Sequence, residues 1–301
     1  KENNQDYLGG FKIGSETYIP AKEYITKPGP YLTWKYAFEK QWLFYKVWGR
    51  LMYDGTTGDE VFANAFNRKY HINFGDKLMK AHNLADKMPL KLASYYAATW
   101  DFTLYSEGFL AGYKSNKPCY YDSISPLISV DELIGAVTLD TSYVSIQDYV
   151  AGRYRGADKI TPLMLAEGLE KDSHEALEII NNLKADDPAL KYEMDDIRTW
   201  SYMGLYFASK LRGGTALQKY RIKGDPAQKE ESIQHLEAAL KYWKEVVAIT
   251  SRYVDEIPLL HLGDRFNNGG NKRPGTKFSW ANFTGEVEYD IEIARNSKPL
   301  K

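Results

Sequence analysis

Two carboxylates in the amino-terminal half, Asp101 and Glu107, lie among Trp100, Phe102, Tyr105 and Phe109. An acid walled by aromatic rings is desolvated, and its pKa shifts upward as general-acid chemistry requires. Glycoside hydrolysis uses such an acid together with a second carboxylate that serves as base or nucleophile. On a helix, however, that separation amounts to roughly 240° of rotation. Asp101 and Glu107 would then face different sides and could not form a facing pair. Hydrogen bonds to neighbouring tyrosines or tryptophans are the reading that the spacing favours. Glu39, with Lys35 and Arg50, is a second charged group in an aromatic setting, and it reads as a structural ion-pair network.

Other chemistries find little support. His71, His82, His174, His235 and His261 never fall three to five residues apart, so no two share a helical face as zinc ligands do. No metal and no cofactor are expected. The single cysteine, Cys119, excludes an internal disulfide, and nothing beside it supplies a base or a helix N-terminus for a reactive thiol. Gly9-Gly10, Gly213-Gly214 and Gly269-Gly270 lack the lysine and the strand-to-helix setting of a phosphate loop. In Gly213-Gly214, which sits inside a long apolar seam, close helix contact or a kink is the plainer reading. The 39 basic residues balance 40 acidic ones, which argues against a nucleic-acid partner. No apolar run approaches the length of a membrane span.

The elements that would position these residues are helical. The sequence predicts an all-α, multi-helix bundle with an irregular N-terminal arm and a three-helix antiparallel C-terminal bundle. Glycine and proline interrupt every pattern in residues 1–31, which read as an irregular arm or the exit from an upstream domain. Residues 32–158 read as an aromatic-rich helical region. Thr33 is placed to cap a helix from Trp34 to about Tyr53. Its polar positions make one narrow stripe, so neighbours are expected to bury it on several sides. Helices follow from Asp59 to about Tyr70 and from about Gly75 to Lys87. Pro89 then opens a long aromatic helix reaching about Tyr113. Two short helices are predicted near 130–137 and 143–153.

Residues 159–301 read as an antiparallel bundle with a terminal helix. Thr161-Pro162, Asp187-Pro188 and Asp225-Pro226 each pair a side-chain acceptor with a proline at the first helical position. The first helix carries Leu165, Leu169, Ala176, Ile180 and Leu183 on one stripe. The second carries Leu190, Met194, Ile197, Ser201, Gly204, Ala208 and Leu211. The third carries Ile233, Leu236, Leu240, Trp243, Val247, Thr250 and Val254. Such seams predict bundle packing at shallow crossing angles, with Trp243 set against the small Gly204 and Ala208. Ser279 is expected to cap a last helix that buries Trp280, Phe283, Val287, Ile291 and Ala294.

Several segments resemble a known family. They are Phe38–Tyr45, Trp48–Leu51 with Tyr53-Asp54, Met88–Ala93, Leu211–Ala216, Tyr242–Lys244, Phe278–Trp280 and Asp290-Ile291. They are similar to the helical region that follows the barrel in bacterial glycoside hydrolases related to the α-glucuronidases, broadly families 67 and 115. The resemblance implies the helical C-terminal portion of an enzyme that degrades uronic-acid-containing polysaccharide. Its catalytic carboxylates would lie in an upstream (β/α)₈ barrel. The implied partners are that barrel, an oligosaccharide or polysaccharide, and a second copy in a homodimer. The implied setting is the periplasm or cell surface of a Gram-negative bacterium. Trp34, Tyr36, Trp100 and Tyr105 are the residues then expected to touch sugar. Two other readings stay open: a stand-alone helical glycan-binding or scaffold protein, and an independent carbohydrate-active enzyme using Asp101 or Glu107.

Overall fold

The structure, a computed structural model, describes residues 26–96, 113–114, 117–118, 127–258 and 277–300. The fold is all-α. Its spine is built from three long helices, α8 (Pro162–Asn181), α9 (Pro188–Lys223) and α10 (Pro226–Tyr253). Each starts as its cap predicts. Thr161 accepts from the Met164 N–H, Asp187 from those of Ala189 and Leu190, and Asp225 from that of Ala227. Proline takes the first position each time, where a missing N–H costs nothing. Gly224, at φ 73°, ends α9 and reverses the chain into α10.

With 36 residues, α9 is about 54 Å long and touches most of the other elements. All of its predicted seam is buried. The seam of α10 is rotated from the one predicted. Ser232, Leu236, Ala239, Trp243, Val246 and Ile249 are buried, whereas Ile233, Leu240 and Val247 only flank the core. Close approach explains the rotation. A Cβ on Gly213 would stand 2.9 Å from Leu236 Cγ and 3.3 Å from the Ser232 carbonyl oxygen. Helices this close need small residues at the contact, and Ser232 and Ala239 supply them. Gly214 meets Ile146, Val130 and Ile134 in the same way on another side. Gly204 faces Ser173 of α8 rather than Trp243. Trp243 instead packs against Tyr206 and, edge-on, Trp280, at ring separations of 4.9 and 5.6 Å.

The amino-terminal half departs further from expectation. The predicted Trp34–Tyr53 helix is two pieces, α1 (Ala37–Lys40) and α2 (Trp42–Tyr53). Thr33 caps neither. The Glu39 carboxylate accepts the Lys35 and Tyr36 N–H groups at 2.8 and 2.9 Å, which delays the helix start to Ala37. Those two bonds also hold the Glu39 carboxyl below its ordinary pKa. Far from being enclosed, α2 has no buried residue.

Helices α3 (Asp59–Tyr70) and α4 (Gly75–Ala85) form a hairpin, and α5 runs Lys87–Tyr95. The predicted long aromatic helix stops there. Tyr95 and Tyr96 are both buried, and consecutive helical positions point about 100° apart. An extended Tyr96 (φ −96°, ψ 111°) lets both rings enter the core. Tyr113 belongs to a two-residue strand, β1 (Tyr113–Lys114), paired antiparallel with β2 (Lys117–Pro118). Short helices α6 (Val130–Gly135) and α7 (Ile146–Ala151) carry serine caps at Ser129 and Ser145. A second small pair joins β3 (Ile257–Pro258) to β4 (Lys277–Phe278). Ser279 makes no side-chain cap; a 3₁₀ turn, Trp280–Phe283, leads into α11 (Thr284–Asn296). Val287, Ile291 and Ala294 are buried as predicted. No described helix is long and apolar enough to cross a membrane.

One feature of this core has no signal in the apolar pattern. Lys210 of α9 and Asp290 of α11, both almost fully buried, pair at 2.6 Å. Lys210 also donates to the Ile128 carbonyl and the Tyr206 hydroxyl, and Asp290 accepts the Val130 N–H at 2.6 Å. Burial disfavours the ammonium, but Asp290 outweighs that penalty and keeps the Lys210 pKa above its ordinary value. Lys210→Met should therefore cost about 3–5 kcal/mol by stranding a buried carboxylate. Adding Asp290→Asn should recover part of that loss in denaturant titrations. Gly75→Ala should lower the thermal midpoint, at a cost of about 1–3 kcal/mol, because its Cβ would strike the Ala63 carbonyl oxygen.

Candidate functional site

Of the residues predicted to do chemistry or touch sugar, Asp101, Glu107, Trp100 and Tyr105 lie outside the described residues. Trp34 and Tyr36 are described, and they play different parts. Trp34 is half-buried and stacks on Tyr192 with ring centres 5.6 Å apart and planes within 14°. Tyr36 is exposed and lies parallel to Phe38 at 5.5 Å.

The first turns of α9 hold this segment down. Glu193 accepts from the Trp42 indole N–H and the Tyr70 hydroxyl, both at 2.8 Å and both on Oε1. Asp196 pairs with Lys40, whose ammonium lies 4.5 Å from the Tyr192 ring centre. Asp195 binds Arg198 at 2.7 Å, the Tyr253 hydroxyl at 2.6 Å and Arg252 at 3.3 Å. Tyr31 meets Tyr253 edge-on at 4.8 Å, and the Lys27 N–H donates to the Tyr253 carbonyl at 2.7 Å. Helical periodicity places Met194 and Ile197 in the core, so acids at the intervening positions sit at its margin. That adjacency, Glu193-Met194-Asp195-Asp196, is the one signal that could have marked them.

Electrostatics make these acids anchors. Burial pushes the Glu193 pKa up, but Lys40, His82 and the bonds from Trp42 and Tyr70 outweigh it and hold it low. Burial and Glu193 together raise the Tyr70 pKa, keeping that hydroxyl a donor. All three carboxylates are engaged by cations or donors, although burial pushes the Asp196 pKa up despite its Lys40 partner. Glu39 likewise serves backbone N–H groups rather than an ion-pair network with Arg50. Among the described residues, no group of three or more His, Cys, Asp or Glu side chains is placed to hold a metal ion.

The opposite side of α1–α2 is open. Tyr36, Phe38, Phe44, Trp48, Leu51, Met52 and Tyr53 are between 36% and 87% exposed. Phe44, Trp48 and Leu51 repeat at helical spacing, so they form one stripe. With Met52 beside them, they expose roughly 400 Å² at the usual size of such side chains, within the ~300–600 Å² typical of a monomer's largest patch.

Neither a family model nor a curated protein matches this sequence. Among solved structures, a GH138 enzyme targeting pectin rhamnogalacturonan II is similar, with a TM-score of 0.62 at 14% identity. The likeness is one of helical fold. The likeness covers 87% of this chain and 38% of that enzyme, so this chain spans well under half of the protein it resembles.

Glu193→Gln should destabilise the protein by about 1–3 kcal/mol and shift the emission of Trp42. A carboxyl with a lowered folded pKa stabilises above its ordinary value and loses that contribution as pH falls through the folded value. Denaturation midpoints of wild type and variant should therefore differ at neutral pH and converge in acid.

Proposed function

We propose that this chain is the accessory helical portion of a polysaccharide-degrading glycoside hydrolase, and that the apolar face of α2 packs against the enzyme's catalytic module. The carrying observation is that face, with large apolar side chains half-exposed along a helix that has no fully buried residue. Leaving roughly 400 Å² of such surface in water costs on the order of 10 kcal/mol relative to burial. That is about half of the ~800 Å² that one partner contributes to a standard stable interface, as the apolar centre of one would be. The likeness to a GH138 enzyme more than twice as long supports a role as one part of a larger hydrolase.

In this reading residues 1–31 form the exit from the catalytic module, 32–158 the region facing it, and 159–301 the bundle that braces both. The catalytic acids belong to the absent barrel. The α-glucuronidase character, and with it a uronic-acid-containing substrate, rests on the sequence motifs. Tyr36 is the stronger sugar contact, because Trp34 spends one ring face on Tyr192. The parallel Tyr36 and Phe38 rings also suit the second reading, a stand-alone glycan-binding protein, since flat exposed rings stack on sugars.

Phe44→Ser with Trp48→Ser should leave helix content unchanged by circular dichroism, because both side chains are already exposed. The unaltered chain alone should show little hydrolase activity and should restore it when joined to the catalytic module. The double variant should lose that restoration. Hydrolysis by the isolated chain would overturn the proposal, and so would a homodimer in sedimentation that the double variant abolishes.

A further inference from the structure

The hairpin of α3 and α4 holds a groove of about 570 Å³ on a different part of the surface. That volume lies within the range of small-molecule sites, which are orientated by a few polar groups over an apolar floor. The floor here is Ala63 and Met79, both buried. Four side-chain amides surround it: Asn64 and Asn67 from α3, Asn73 from the connecting turn, and Asn83 from α4.

Some of these groups are already occupied. The Asn67 oxygen takes the Gly75 N–H at 2.8 Å, and Asn83 donates to Asp59 at 3.2 Å. Lys80 turns to Glu175 on α8 at 2.6 Å. Among the described residues, the side chains of Asn64, Asn73, Glu60 and Asp76 have no hydrogen-bond or ion-pair partner. Four polar side chains with unspent capacity therefore line one concave surface.

Their chemistry restricts the ligand. An amide offers paired donors beside an acceptor, and a carboxylate offers two acceptors. Together they match neighbouring hydroxyls, each of which both donates and accepts. Three carboxylates, Asp59, Glu60 and Asp76, stand against the single ammonium of Lys80, so a negatively charged ligand is repelled. The apolar floor suits the C–H face of a ring. We infer that the α3–α4 groove binds a short neutral oligosaccharide, gripped by Asn64, Asn73, Glu60 and Asp76 over Met79. The glycan identity rests on the proposed hydrolase role, and it deepens that role. The groove would hold uncharged stretches of a polysaccharide whose acidic units are handled elsewhere.

Calorimetric titration of the intact chain tests this, with neutral trisaccharides of xylose, galactose and arabinose as probes and trigalacturonate as the anionic control. At least one neutral probe should bind saturably, with little dependence on salt. Asn64→Ala with Asn73→Ala should weaken it about tenfold or more. Both amides are exposed and have no side-chain partner among the described residues, so the variant should fold normally by circular dichroism. The Phe44→Ser/Trp48→Ser variant should bind as wild type does, which separates the groove from the α2 face. The inference fails if no neutral probe binds, if the asparagine variant binds unchanged, or if trigalacturonate binds more tightly. Failure of the unaltered chain to associate with the catalytic module, with groove binding intact, would overturn the proposed function and leave the groove standing as a sugar site.

Discussion

The constraint on which the structure depends is the near-complete burial of α9. A helix about 54 Å long and apolar along most of its sides needs neighbours on several faces at once, since its own hydrogen bonds satisfy the backbone but leave the side chains in water. Helix α8 covers one face and α10 another, and α6 and α7 close over Gly214. The amino-terminal segment seals the beginning of the helix. The glycines set how near these neighbours come. Gly204 admits Ser173, and Gly213 admits Leu236 and the backbone at Ser232. Close packing along one helix thereby decides the phase of the next.

Burying a helix so completely also buries its polar residues, and the structure answers with pairing rather than exclusion. Lys210 and Asp290 tie α9 to α11 and, through Ile128 and Val130, to the segment entering α6. Glu193, Asp195 and Asp196 do the equivalent at the other end, where they gather Trp42, Tyr70, Tyr253, Arg198, Arg252 and Lys40. Removing one partner of such a pair costs far more than the pair contributes over an apolar replacement. These contacts therefore specify which segments meet more than they add to stability. The aromatic N-terminal segment is held by charged groups on its inner side, and its outer side is apolar and half-exposed.

That asymmetry links fold to function. An inner side anchored by Glu193 and Asp196 fixes α2 in place, and a fixed apolar face is a better docking surface than a mobile one because less ordering is needed on binding. The α3–α4 groove faces solvent with polar groups, and the α2 face does so with rings. Each surface asks for a different partner. In the proposed function, one partner is another module and the other a sugar.

Local chain geometry was legible in the residues themselves. The threonine- and aspartate-proline pairs at 161, 187 and 225 marked three helix starts because a cap and a proline act within a few residues of one another. The stripe from Leu190 to Leu211 marked the core face of α9 because apolar spacing follows helical pitch. What lies across a contact is not written in that pitch. The phase of α10 was set by the backbone of α9 at Gly213, and the end of α5 by two tyrosines competing for the same core. The exposure of α2 followed from carboxylates on a helix more than a hundred residues away in the chain. Periodicity reports which side of a helix prefers to leave water, and only the packed molecule decides whether a neighbour is there to receive it.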